Sequence, residues 1–241
     1  MGKAGDGLNV NARAEEGMKP GILTIRLGGV NCYLTAADGG FVLIDTGTPE
    51  KRARLDAALA RAGCRPGNLK LIALTHGDYD HAGNAAYLRD KYGAKIGIHR
   101  DDSERVEHAD WDLGMKPKPD RFTLLFRVIS RLALRFVNPD KFVTFEPDVY
   151  LEDGQSLSTY GSDAVVLHLP GHTRGSIGIL TAAGDLFCGD LMSNMVRPSL
   201  HFFINDMAAA RANIDKLRGL GVGTVYPGHG KPFRLERLKE R

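Results

Sequence analysis

The chain is short of several features that would settle its class at once. Its three cysteines, Cys32, Cys64 and Cys188, are odd in number, far apart, and include no Cys-x-x-Cys pair. That argues against a disulfide framework and fits a reducing compartment. No apolar run nears the roughly 18 residues needed to cross a bilayer, so no transmembrane segment is expected. Residues 1–20 are polar and Gly-rich, without the apolar stretch of a secretory signal, and are expected to form a flexible N-terminal segment. A cytoplasmic location follows as the expectation. Charge of one sign is also scarce: 32 Lys and Arg stand against 29 Asp and Glu, for a net +3. So small an excess, mostly dispersed, gives no reason to expect a nucleic-acid partner.

What is present suits one sizeable core: 241 residues, 43% hydrophobic. One domain over 21–241 is expected. The runs "GILTIRL", "NCYLTAA" and "GFVLID" read as a strand meander. "TPEKRARLDAALARAG" has a helical period, a Thr-Pro start and a Gly stop. "LKLIALTH", "AGNAAYLRDKYG" and "AKIGIH" continue as strand, helix and strand. Residues 101–147 break this rhythm and read as a helical cap insertion. Within it Phe122, Leu125, Ile129, Leu132 and Phe136 step by three and four, which predicts a helix over 121–136. Further strands, the helix in "INDMAAARANIDKLRGLG" and a last strand in "VGTVYPGHG" complete the chain.

The residues able to do chemistry follow strand runs. His76 comes after "LIALT", His172 after "VVLHLPG", Asp190 after "LFCG" and His229 after "TVYPG". Strand ends are where a layered α/β scaffold presents a site. "THGDYDH" at 75–81 places His76, Asp78, Asp80 and His81 on one turn at a helix start. Capping that helix needs one Asp and no His, whereas imidazole and carboxylate together suit zinc, iron or manganese. The remaining histidines, His99, His108, His168 and His201, read as ordinary surface or core residues.

Five ordered motifs then carry a resemblance: "LIDTG" at 43–47, "THGDYDH" at 75–81, "LPGHTRGS" at 169–176, "CGD" at 188–190 and "PGHG" at 227–230. In these the chain resembles the metallo-β-lactamase-fold metallohydrolase superfamily, as an HxDxDH variant of its HxHxDH pattern. The resemblance implies an α/β, four-layer αββα sandwich with two divalent metal ions at one edge, zinc first, with iron or manganese as alternatives. It implies His76 and His172 on the first metal, Asp80, His81 and His229 on the second, and Asp190 bridging both. Asp45 matches a position that supports the site from behind a ligand. Asp78 stands where the family has histidine. Direct ligation, ligation through water, or a weakened first site are its three readings, and its added charge favours harder metals.

The implied activity is hydrolysis, with a metal-bound hydroxide attacking an ester, thioester, lactone or β-lactam carbonyl and Asp80 orienting that nucleophile. The substrate is a small molecule. Arg174, Phe202 and Phe203 are candidates for contacting it, together with the cap. The alternative within the same fold is an iron-dependent oxidoreductase or dioxygenase, since a carboxylate at the position of Asp78 also occurs in an iron-binding branch. A homodimer is compatible with all of this.

Overall fold

The computed structural model of the chain describes residues 21–116, 118–124 and 138–239. Period-two alternation builds its layers. In β3 (Gly40–Ile44), Val42 and Ile44 face one core while Leu43 faces another; in β4 (Leu69–Ala73), Leu71 and Ala73 face the first and Ile72 the second. A strand with apolar residues on both faces is buried on both sides, as a central layer requires.

The first sheet has the order β1 (Ile22–Arg26), β2 (Asn31–Ala37), β3, β4, β5 (Lys95–Ile98), β7 (Val149–Tyr150). Its first strands pair antiparallel and its last ones, from β3 onward, parallel. The second sheet runs β14 (Phe233–Arg234), β13 (Thr224–Gly230), β10 (Asp185–Asn194), β9 (Ile177–Thr181), β8 (Ala164–His168), with β11 (Ser199–Leu200) on the edge of β10. A small ribbon joins β12 (Phe203–Ile204) to β6 (Arg121–Phe122).

Tyr33, Val42, Ile44, Val166, Ile179 and Phe187 fill the space between the sheets. On the far side of the first sheet, α1 (Arg52–Arg61) inserts Leu55 and Leu59, α3 (Ala85–Tyr92) inserts Leu88, and α4 (Arg100–His108) inserts Val106. On the far side of the second, α5 (Met207–Gly219) buries Ala210, Ile214 and Leu217 at helical spacing. Its cap is Asp206, whose carboxylate accepts from Ala209 N at 3.0 Å. Helix, sheet, sheet, helix is the expected four-layer αββα arrangement.

Two details differ from the sequence reading. Asp190 and His229 do not follow their strands but lie within β10 and β13. Those strands pair in parallel with register shifts between Phe187 and Gly189 and between Gly189 and Ser193. Such irregularities re-aim side chains, here towards the site. The helix expected over 121–136 begins instead as strand β6, because Phe122 and Arg121 pair with Phe203 and Ile204. Residues 125–136 of that expected helix lie outside the described residues, as does the 1–20 segment. At the start of 101–147, α4 packs into the main core and buries Asp102 and Arg105 under the site. Among the described residues no helix is long and apolar enough to cross a membrane.

Candidate metal centre

The turn after β4 is held by Asp45, a non-glycine residue in the left-handed region at φ 57. Its carboxylate accepts from Thr75 N at 2.8 Å and from Thr75 Oγ1 at 2.8 Å, and lies 2.8 Å from His81 Nδ1. Asp45 thus ties His81 and the Thr75–His76 turn together. α2 (Tyr79–Ala82) starts at Asp78, yet the Asp78 side chain makes no capping hydrogen bond. Its carboxylate turns into the cluster instead, which disposes of capping as its role.

Seven residues picked from the motifs meet in space. Around Asp78, Oδ2 lies 3.1 Å from His172 Nε2 and 3.6 Å from His76 Nε2. Around Asp80, Oδ2 lies 3.4 Å from His229 Nε2 and 3.8 Å from His81 Nε2. Asp190 stands between the two groups. Its Oδ1 is 3.5 Å from His81 Nε2, and its Oδ2 is 3.2 Å from His229 Nε2 and 3.9 Å from His172 Nε2. β13 comes this close because position 228 is glycine: a Cβ there would fall 2.4 Å from Asp190 Oδ1 and 2.6 Å from His81 Cε1.

The histidines share one orientation. Nδ1 of His76 faces Thr75 Oγ1 at 3.0 Å, that of His81 faces Asp45, that of His172 faces Phe203 O at 3.1 Å, and that of His229 faces Gly29 O at 2.7 Å. An oxygen acceptor at Nδ1 places the proton there and leaves the lone pair on Nε2, aimed into the cluster. His76 Nε2 and Asp190 Oδ1 are buried and have no hydrogen-bond partner among the described residues. Lone pairs facing carboxylates repel unless a cation lies between them. Donors about 2.1 Å from a tetrahedral ion stand about 3.4 Å from one another. The spacings above scatter around that value, so the residues fit a pair of divalent ions.

The electrostatics agree. Burial opposes charge on His81, but Asp190, Asp80 and Asp45 together raise its pKa well above the ordinary value. Burial likewise works against His229, yet Asp190 lifts it to about 9. Burial would raise Asp78 and Asp190, but the neighbouring His172 and His76 rings and the Arg105 guanidinium beside Asp78, and the charges of His201, His229 and His81 near Asp190, hold both carboxylates well below their usual range. Three carboxylates among these rings attract positive charge strongly; a metal ion is the denser form of it.

Three residues join the site that the motifs did not indicate. His201, read above as ordinary, is 2% exposed, with Nε2 at 3.5 Å from Asp190 Oδ2. Burial pushes its pKa down to about 3. Arg105 of α4, 1% exposed, pairs with Asp78 Oδ1 and donates from Nη1 to Leu113 O at 2.7 Å. Asp102 accepts from Gly77 N at 2.9 Å, Gly175 N at 2.9 Å and Thr173 Oγ1 at 2.8 Å, stitching the His76 turn to the His172 loop. A basic and an acidic residue on an amphipathic helix look like surface residues in sequence; only the packing of α4 makes them part of the site. The other histidines stay apart: His99 and His168 stack at 4.2 Å, with His168 Nε2 turned to Arg174 O.

Of the substrate candidates, Phe203 lies against His172 with ring centroids 5.5 Å apart and against Phe122 at 5.6 Å. Phe202 neighbours the His201 ring at 5.9 Å. Arg174 is exposed, with its side chain over Gly114.

A family model described as the metallo-beta-lactamase superfamily matches residues 25–229. The chain belongs to the metallo-beta-lactamase superfamily. It is an enzyme of that superfamily's hydrolase kind. Among its relatives, hydroxyacylglutathione hydrolase GloC of Haemophilus influenzae is 33% identical over 127 residues, 52% of this chain and only 50% of that protein. The acyl-coenzyme A thioesterase MBLAC2 of Bos taurus is 28% identical over 86% of this chain and 75% of its own length. The solved structure of TTHA1623 in a di-iron-bound form superposes with a TM-score of 0.62, at 28% identity, over 89% of this chain and 94% of that one.

Proposed function

We propose that this protein is a two-metal hydrolase of acyl thioesters carried on an anionic small molecule. The observation that carries the reading is the convergence of Nε2 lone pairs and carboxylates at ligand spacing, with every Nδ1 of the motif histidines fixed by an oxygen. His76 and His172, with Asp78 beside them, would hold one divalent ion, Asp80, His81 and His229 the other, and Asp190 faces both groups; zinc is the first candidate, before iron or manganese. Bound there, such a pair supplies an acidified water as nucleophile and polarises the acyl carbonyl oxygen.

The chain's own groups do the rest. Asp80, with 38% of its side chain exposed, is the carboxylate of the cluster most open to solvent and orients the attacking water. Asp45 holds the His81 ring. Phe203 and Phe122 form an apolar wall beside His172 that keeps water from the acyl chain. Next to the β6–β12 ribbon, Arg121, Arg197, Arg211 and Lys239 line one cavity, which suits a phosphate- or carboxylate-bearing acyl carrier. The two relatives act, by their names, on an acylglutathione and an acyl-coenzyme A. Three buried free thiols support a reducing compartment such as the cytoplasm.

A second reading, an iron-dependent oxidoreductase, is favoured by the Asp78 carboxylate and by the di-iron form of a structural relative. One experiment separates the two. Metal-free and metal-reloaded protein is assayed on acyl-coenzyme A, acylglutathione, lactone, β-lactam and phosphodiester substrates, with oxygen uptake followed in parallel. The expected result is thioester hydrolysis that returns with metal, and a raised KM for acyl-coenzyme A with little change in kcat in Arg211→Ala. Metal-dependent oxygen uptake without hydrolysis would replace this reading with the second.

A further inference from the structure

His201, like the motif histidines, has its Nδ1 held by neighbouring polar groups. It sits between β11 and β12, and its Nδ1 is 3.2 Å from Phe203 O, the carbonyl that also takes His172 Nδ1 at 3.1 Å. Phe203 N–H lies 3.3 Å from the same Nδ1, so one residue's backbone fixes the ring. Nε2 of His172 and Nε2 of His201 both face Asp190 Oδ2, at 3.9 and 3.5 Å. Two imidazole nitrogens and a carboxylate oxygen brought together in this way form a donor set that a divalent ion fits. His172, Asp190 and His201 have donor atoms within 4.8 Å of one another, and all three are buried.

Asp78 is meanwhile a weakened donor. Arg105 occupies Oδ1, so only Oδ2 faces the site, and the guanidinium balances its charge. The chain has aspartate at position 78, where the superfamily pattern has histidine, and a buried imidazole at 201 whose ring lies 5.3 Å from that of His172 and 5.4 Å from that of His229.

We propose that His201 is a ligand of the ion held by His76 and His172, taking the donor role of the missing histidine, while Arg105 keeps Asp78 as a charge-balanced wall of that site. This rests on the metal-centre reading above. The test uses cobalt(II) alone as probe. Metal-free wild type, His201→Gln, Asp78→Asn and the Asp78→His/His201→Gln double variant are loaded, dialysed against graded chelator, and read by elemental analysis and visible absorption. Circular dichroism confirms folding.

His201→Gln is expected to hold one equivalent fewer than wild type and to lose the corresponding part of the cobalt spectrum. Asp78→Asn should match wild type in stoichiometry, and the double variant should regain the lost equivalent. His201→Gln with wild-type stoichiometry, chelator resistance and spectrum would overturn the proposal. So would loss of an equivalent in Asp78→Asn but not in His201→Gln. Wild type taking up no cobalt would overturn the metal-centre reading itself, and this inference with it.

Discussion

The two sides of the site are built differently. On the Asp80 side, the carboxylate is open to solvent, the rings of His81 and His229 are fixed by Asp45 and Gly29, and the donors follow the superfamily's pattern. On the Asp78 side, the carboxylate is claimed by a buried arginine, and the His172 ring has the further imidazole of His201 beside it. One side therefore keeps its donors by local sequence, the other by tertiary packing. On the proposal above, a substituted motif position need not empty a site: a neighbouring loop supplies the donor while the substituted residue takes its own partner.

The largest expected effect comes from removing what the two sides share. Asp190→Ala takes away the carboxylate that faces both groups, and thioester hydrolysis should fall at least about 10³-fold, with loss of metal from both sides. A fall confined to one equivalent of metal would show that Asp190 serves one side only. His81→Ala should be nearly as severe in turnover but keep metal on the Asp78 side, measured by elemental analysis.

The next effect is on stability. Arg105→Met strands the Asp78 carboxylate without its guanidinium. Breaking such a buried pair costs about 3 kcal/mol, read as a lower urea midpoint. Adding Asp78→Asn to Arg105→Met should recover much of that loss. If it does not, Arg105 matters for packing α4 and not for balancing Asp78, and the contrast between the two sides weakens.

The smallest effect lies outside both sides and serves as a control. His99 caps α4, its Nδ1 accepting from Asp101 N at 3.2 Å. Burial, then the neighbouring His168, lowers its pKa in the folded protein, against the attraction of Glu152 and Asp101. A lowered folded-state pKa means that its contribution is complete above the unfolded value, about 6.5, and is lost as pH falls below that value. Between pH 7.5 and 5.5 the urea midpoint of wild type should therefore drop slightly more than that of His99→Asn, which keeps a capping side chain. The opposite order would contradict the burial argument. Metal content should be equal in the two proteins.

Much of this was legible in the sequence because each motif is a local turn following a strand. "THGDYDH" brings four donors together within one turn, and Gly228 and Gly189 announce close backbone approach at the site. The four layers follow from alternation in runs such as Val42–Leu43–Ile44. What spacing does not carry is contact between distant elements. Arg105 belongs to a helix whose charged face looks solvated, and His201 lies in a stretch with no second donor beside it. Likewise, nothing in "RFTLLF" reveals that Arg121 and Phe122 pair with Ile204 and Phe203; that strand exists only because β12 is there to receive it.

The most direct measurement is the divalent metal content of the purified protein, taken by elemental analysis before and after chelation, with thioester hydrolysis followed on the same samples. The account predicts about two ions per chain, lost together with activity on chelation. A folded chain that hydrolyses thioesters with no bound metal would contradict it.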